Sequence, residues 1–359
     1  MQNLNKFFKL QKVYIFFISF VLFIIIFSTS LLHANTFKVS DVEISSAFKV
    51  NFNKNRVIDD GFRASFFNLI SMITTSGDRN KIKDVPQKEL KGMIDSFTIS
   101  DEKFINNEYF AKLETTFNKK KTLSYLERKN IFPSIPIRNK VLLIPILVDT
   151  QKDKTYLFTN NIFYQKWNSN IKNYHLLNYL LPSEDLEDLN TIQQISTSIE
   201  SHDFKNLITK YDLQDYIISI IYKDKQELRV FSKINLKNTL KVDNHKFEKT
   251  NLKNEENFDA ILENLKTIYE DHWKKNNQIN TSIKLPLTVS ITSKEYNKIQ
   301  KLERTLSAND FVSNFYILKF DSQNTFYRII YNGSPKIFLD DLEKNNINFE
   351  MLNNIWIIK

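Results

Sequence analysis

Alternating and helically spaced apolar positions divide most of the chain into short strands and amphipathic helices. From Phe37 to Phe52, FKVSDVEISSAFKVNF alternates apolar and polar residues with one phase slip near Ser40, as in strands interrupted by a bulge or turn. Phe62, Phe66, Leu69, Ile70 and Ile73 then recur at three and four residues, which predicts a helix, with Gly77 as its stop. In YFAKLETTF, Tyr109, Ala111, Leu113, Thr115 and Phe117 share one strand face, and Leu123 and Leu126 mark a short helix behind it. These elements predict an N-terminal α+β domain over residues 35–132, closed by the proline-bearing stretch IFPSIPI.

A second block opens with VLLIPILV, Val141 to Val148, continuously apolar and therefore read as a strand buried on both faces. A helix around NIFYQKWN follows, then HLLNYLL and a turn, after which Leu186, Leu189, Ile192, Ile195 and Ile199 recur at helical spacing. Phe204 to Leu213 suggests another helix and YIISIIY another buried strand, an alternation that argues α/β. RVFSKINL and LKVDNHKFEK read as antiparallel strands, and Phe258, Ile261, Leu262, Leu265, Ile268, Tyr269 and Trp273 line one face of a long helix. The predicted central α/β domain covers residues 133–280.

The last block, residues 283–359, starts after the polar stretch KKNNQINTS. LPLTVSIT is a strand, Ser293 a helix cap before Tyr296, Ile299, Leu302 and Leu306, and SNFYILKFD and TFYRIIYN are two more strands. Gly333, Ser334 and Pro335 supply a turn, a cap and a first-turn proline for a helix with Phe338 and Leu342, and FEMLNNIWIIK closes as a hairpin or single strand. The order β, α, β, β, α, β predicts a ferredoxin-like domain, so the expected class is α+β with a central α/β domain.

The first 34 residues are of a different kind. Lys6, Lys9 and Lys12 precede an unbroken apolar run from Val13 to Phe27, and STSLLHA ends at Ala34, a natural cleavage position. This is a secretory signal, or an uncleaved anchor if the apolar stretch counts from Val13 to Leu32. Either way the lysines place the remainder outside the cytoplasm, in the periplasm, with membrane contact only through that segment. The chain has no cysteine, so packing rather than disulfides must hold it, and a lipid-modified N-terminus is excluded.

Of the net charge of +9, three lysines belong to that leader, and the rest are nearly all Lys, scattered, with only eight Arg in the chain. Nucleic-acid readers favour clustered Arg, so no nucleic-acid partner is expected. The sharpest basic run, NKKKTLSYLERKN from Asn118 to Asn130, reads as a solvated helix face.

Candidate chemistry is sparse. LLPSEDLEDLN sets Glu184, Asp185, Glu187 and Asp188 within five positions. A helix beginning there explains them, since Ser183 or Asp185 can cap its first N–H groups and further carboxylates suit its positive end. A Ca²⁺ loop would need oxygens alternating around a Gly-bearing turn, and Mg²⁺ a companion phosphate site; neither pattern is present, and no metal is expected. His175, His202, His245 and His272 have no metal-ligand spacing. With only Gly61, Gly77, Gly92 and Gly333, there is no phosphate loop, dinucleotide fingerprint or nucleophile elbow, so no cofactor and no catalytic residue is assigned. Phe163, Tyr164 and Trp167 form a candidate partner-binding patch, against the alternative that they are helix-on-sheet core.

FKVSDVEI, YFAKLETTFN with LSYLERKNI, VLLIPILVD, NIFYQKWN, LLPSEDLEDL and YDLQDYIISIIY resemble the successive blocks of the DUF2066 family of exported bacterial proteins, whose activity is undefined. Glu184 stands where that family often has Gly before the first Asp of LPxGDxxD. The first block also resembles the N-terminal domain of flagellar assembly protein T. The middle resembles the α/β domains of TolB and of outer-membrane activators of penicillin-binding proteins. These resemblances imply a non-enzymatic partner of an envelope protein or assembly, by analogy of fold. The residues themselves leave open an exported hydrolase with a site assembled from distant positions, and a polyanion or membrane-surface binder using the lysines. They leave partner identity and oligomeric state undefined.

Overall fold

The computed structural model describes residues 37–280, 283–309, 311–332, 335–352 and 355–358. The predicted leader and the Gly333–Ser334 turn lie outside them. Strands β1 (Lys38–Ala47), β2 (Ile94–Ile105) and β3 (Glu108–Phe117) form an antiparallel sheet in the order β1-β3-β2. The slip at Ser40 is a bulge: the register shifts between Val39 and Val42, and Asp41 takes a left-handed φ of 57°. That extra residue returns Val42 and Ile44 to the core side after Val39.

Helix α1 (Lys54–Ile73) lies on this sheet, with Phe62, Phe66, Leu69 and Ile70 buried. Its approach is close at Gly61, where a Cβ would stand 2.8 Å from Ile44 Cγ2 and 2.9 Å from Leu113 Cδ2. The helix stops at Ile73, earlier than Gly77 predicts, because Thr74 turns extended and returns both its N–H and its hydroxyl to Ile70 O. Gly77 sits instead in the short α2 (Ser76–Arg79), whose first N–H donates to Asp271 at 2.9 Å. Helices α3 (Gln87–Met93) and α4 (Lys119–Arg128) complete the block, α4 burying Leu123 and Leu126 and capped by Asn118.

The central sheet is mixed. Its strands are β4 (Asn139–Asp149), β5 (Lys154–Tyr156), β6 (Leu177–Leu180), β7 (Tyr216–Asp224), β8 (Glu227–Leu236) and β9 (Thr239–Phe247). One edge of β4 is shared by β6, parallel along Asn139–Leu142, and by β5, antiparallel along Leu147–Asp149. Its other edge pairs in parallel with β7, and β8 and β9 follow antiparallel. Helices α5 (Ile162–Lys166) and α8 (Glu255–Asn276) cover one face, over Val141, Leu143 and Leu147. Helices α6 (Leu186–Gln194) and α7 (Lys205–Thr209) cover the other, over Leu142, Ile144 and Ile146. Burial on both faces is why VLLIPILV carries no polar alternation.

Helix α8 is also buried on a second side, against the first block. Asp271 receives the Ser76 N–H and hydroxyl, Lys274 Nζ donates to Ser71 O, and Trp273 Nε1 donates to Ile137 O at 2.7 Å. Glu270, 2% exposed, accepts the N–H groups of Leu176 and Leu177, each at 2.8 Å. This fixes the entry of β6.

In the last block β10 (Leu285–Thr292), β11 (Val312–Phe320), β12 (Asn324–Tyr331), β13 (Phe349–Leu352) and β14 (Ile355–Ile358) form a sheet in the order β11-β12-β10-β14-β13. Helices α9 (Tyr296–Ala308) and α10 (Pro335–Glu343) bring Leu302, Leu306, Phe338 and Leu342 into its core. FEML and IWII pair antiparallel as β13 and β14, and β14 lies beside β10 and runs parallel to it, leaving β13 at the edge. Ser293 does not cap α9. It closes the strand end instead, donating its N–H to Gln323 O at 2.8 Å and bonding Thr325 Oγ1 at 3.0 Å. The chain is thus α+β: among the described residues the first sheet is antiparallel, and the central and last sheets are mixed.

Candidate functional site

The chain leaves the carboxyl end of β4 towards α5 on one face of the central sheet and leaves β6 towards α6 on the other. The β6 end lies beside Leu142, near the start of β4, so the two departures are separated along the sheet edge. Two clefts flank the β4–α5 connection, whose Tyr156 and Asn160 line both.

The first cleft, about 890 Å³, is lined by Asp153, Phe158, Thr159, Glu184, Asp185 and Leu189 among others, so the acidic turn forms part of its wall. Asp185 is the cap of α6: its Oδ1 accepts from Glu187 N at 2.8 Å and Asp188 N at 3.3 Å. Ser183 does not share that role; its N–H donates to the Tyr211 hydroxyl at 2.7 Å. Lys210 Nζ stands 3.0 Å from Asp185 Oδ2 and 2.8 and 2.9 Å from the two Asp188 oxygens. Lys210 and the two N–H groups hold the Asp185 carboxyl below its ordinary value, while Asp188 and then Asp185 raise the Lys210 ammonium. Glu184 accepts from Thr159 Oγ1 at 2.8 Å. Three of the four carboxylates are therefore engaged by protein donors, and Glu187 is exposed. Lys210, 22 residues beyond Asp188, carried no local signal in the sequence.

The aromatic patch is core. Phe163 and Trp167 are fully buried, Phe163 against Phe258 with ring centres 5.1 Å apart and Trp167 stacked on Tyr269 at 6.0 Å. Tyr164, half-buried, packs edge-on to Phe158 and donates its hydroxyl to Pro182 O at 2.8 Å. With α5 only five residues long and pressed between β4 and α8, its aromatic side chains have no route to solvent as a patch.

The histidines are mostly structural. His175 is buried, with Nε2 3.3 Å from Glu263 Oε1, and His202 meets the Phe204 ring at 4.9 Å. His245 and His272, far apart in sequence, converge on Asp243, their Nε2 atoms 3.0 and 2.8 Å from its oxygens. Burial opposes ionisation of Asp243, but the His272 hydrogen bond and the close His245 ring outweigh it and hold the carboxyl below its usual value. Ser232, opposite Asp243 in the ladder, already bonds the Tyr269 hydroxyl at 2.8 Å, so the trio lacks a nucleophile there. Among the described residues no three His, Asp or Glu side chains are placed to hold a metal ion.

The second cleft, about 770 Å³, gathers Lys152, Lys223, Lys225, Lys249 and Lys253 around Asp149. Lysines that are scattered in sequence thus converge through the sheet. No protein-family model and no curated protein matches the chain. Among the described residues no helix is long and apolar enough to cross a membrane.

Proposed function

We propose that the protein is a non-enzymatic accessory or adaptor of the bacterial cell envelope, exported to the periplasm, that works by protein–protein binding. The observation that carries this reading is the outer edge of β11, against which no further strand is paired among the described residues. It is an outer strand of its sheet, and Tyr316, Ile317, Leu318 and Phe320 are 47%, 51%, 49% and 79% exposed. An unpaired strand edge with apolar side chains is a template for strand addition, in which backbone hydrogen bonds give affinity and alternate side chains give specificity. Lys319 and a register shift between Ile317 and Lys319 interrupt the edge, which disfavours indiscriminate self-pairing.

The rest of the molecule agrees with a binding role. The acidic turn and the Asp243 trio are held by protein partners rather than arranged around a nucleophile. Within this reading the chain is DUF2066-like, its central sheet TolB-like, and its last block ferredoxin-like with β13 paired beside the closing strand. The test is an Ile317→Lys/Phe320→Glu double variant, used beside the wild type to recover partners from envelope fractions. The wild type should retain a stoichiometric partner that the folded variant loses. Retention by both, together with loss of cellular function in a folded Asp243→Asn variant, would favour the exported hydrolase.

A further inference from the structure

The basic cleft lies outside the carboxyl ends of β4 and β7, bounded by the turn after β7 and by residues 249–253 leading into α8. Its one carboxylate, Asp149, is 4% exposed and already engaged: Lys223 Nζ stands 3.1 Å away, Lys152 Nζ 3.8 Å, and the Lys152 N–H donates at 3.2 Å. Among the described residues no carboxylate lies within ion-pair distance of Lys225, Lys249 or Lys253. The three sit on turns that are tied together, since Thr150 donates its N–H and hydroxyl to Lys223 O at 3.1 and 3.0 Å and Thr250 N donates to Gln226 O at 2.7 Å. The backbone frame is thereby fixed, and the three lysines line one cleft with no carboxylate paired to them among the described residues.

We propose that this cleft binds a compact phosphate-bearing polyanion. Like charges gathered in a concavity repel one another and focus the field inward, and an anion of several charges relieves both effects. Lysines act as point charges suited to phosphate oxygens, whereas planar bidentate recognition of a carboxylate would call for Arg, which the lining lacks. The wall is not wholly polar: Leu147, Ile162 and Leu252 supply low-dielectric surface that strengthens the field. A single concavity of this volume accepts a short phosphate group rather than a nucleic-acid strand, which needs an extended basic track. This site is separate from the β11 edge and does not depend on it.

Sodium tripolyphosphate is the probe, titrated calorimetrically into the full chain at fixed ionic strength, with sulfate as the control anion. The wild type should bind it saturably at one site, with affinity that falls as salt rises. Lys225→Gln/Lys249→Gln/Lys253→Gln should weaken it about tenfold or more, while Lys88→Gln/Lys205→Gln/Lys241→Gln, of equal charge change, should not. Both variants should melt with the wild type, because their positions are exposed. On the wild type alone, tripolyphosphate should shield Lys225, Lys249 and Lys253 from acetylation, a readout that needs no variant. Capture on phosphatidylglycerol vesicles that requires the same three lysines would assign the phosphate to a lipid headgroup, and failure of that capture alongside tripolyphosphate binding would assign it to a soluble ligand. No saturable tripolyphosphate binding, or equal weakening in both triple variants, overturns the proposal.

Discussion

Lys274→Met removes the positive half of a charged pair buried between the first block and the central sheet. Lys274 is 3% and Glu270 2% exposed, with Nζ 4.0 Å from Oε2, and burial drives the Lys274 ammonium down and the Glu270 carboxyl up. At 4.0 Å and an effective dielectric constant of about 20, their attraction is about 4 kcal/mol, which offsets part of the desolvation of both groups. Losing the lysine alone strands Glu270 with only the Leu176 and Leu177 N–H groups, and breaking such a pair costs about 3–5 kcal/mol. The double variant Lys274→Met/Glu270→Gln should recover most of that, because the Gln amide oxygen still accepts both N–H groups and no buried charge remains. A residual cost of about 1 kcal/mol is expected from the Ser71 carbonyl losing its donor. The assay is urea unfolding of the four proteins at pH 7, followed by circular dichroism.

The pH dependence adds an independent check. A carboxyl raised above its unfolded value of 4.5 contributes stability that is present below that value and is lost as pH rises through the folded value. Without Lys274 the folded value rises further, so the penalty of Lys274→Met should shrink between pH 7 and pH 5. A penalty under about 1 kcal/mol at pH 7, or a double variant as unstable as the sum of the singles, would refute the reasoning.

Four further outcomes follow from the same structure. Asp185→Ala should lower the melting temperature while Asp185→Asn, which keeps the capping oxygen, should lower it less, and chelator should leave the wild-type melt unchanged. Trp167→Ala should cost about 3–5 kcal/mol in urea unfolding, as a fully buried side chain does, and so behave as core. Gly61→Ala should destabilise by about 1 kcal/mol, because crowding at Ile44 and Leu113 outweighs the gain in helix propensity. A reporter fused after residue 40 should be active only outside the cytoplasm, and N-terminal sequencing of the mature protein should begin at Asn35, a start at Met1 pointing to the anchored form.

Elements whose burial repeats with their own period were legible in the sequence. The run from Val141 to Val148 is apolar throughout because helices cover both its faces, and the bulge at Asp41 was audible as a slip of one residue. Strand β2 was missed because most of its residues are exposed, so burial imposed no alternation on Ile94 to Ile105. The cap at Asp185 followed from local rules, but Lys210, which joins it to Asp188, did not, since that contact is tertiary. Likewise Lys266, Glu270 and Lys274 look like the solvated face of α8, yet they are buried, Lys266 and Glu270 bonding the segment that leads into β6 and Lys274 bonding the first block. The basic cleft exists only because the turns after β4, β7 and β9 meet at one end of the sheet.

The most direct test of the binding role is a photo-crosslink from the β11 edge in living cells. Benzoylphenylalanine at Tyr316 or Phe320 should give one discrete adduct with an envelope protein, while the same group at Ile171, 61% exposed in the central block between α5 and β6, should give none. No adduct from β11, or the same adduct from Ile171, would contradict the account.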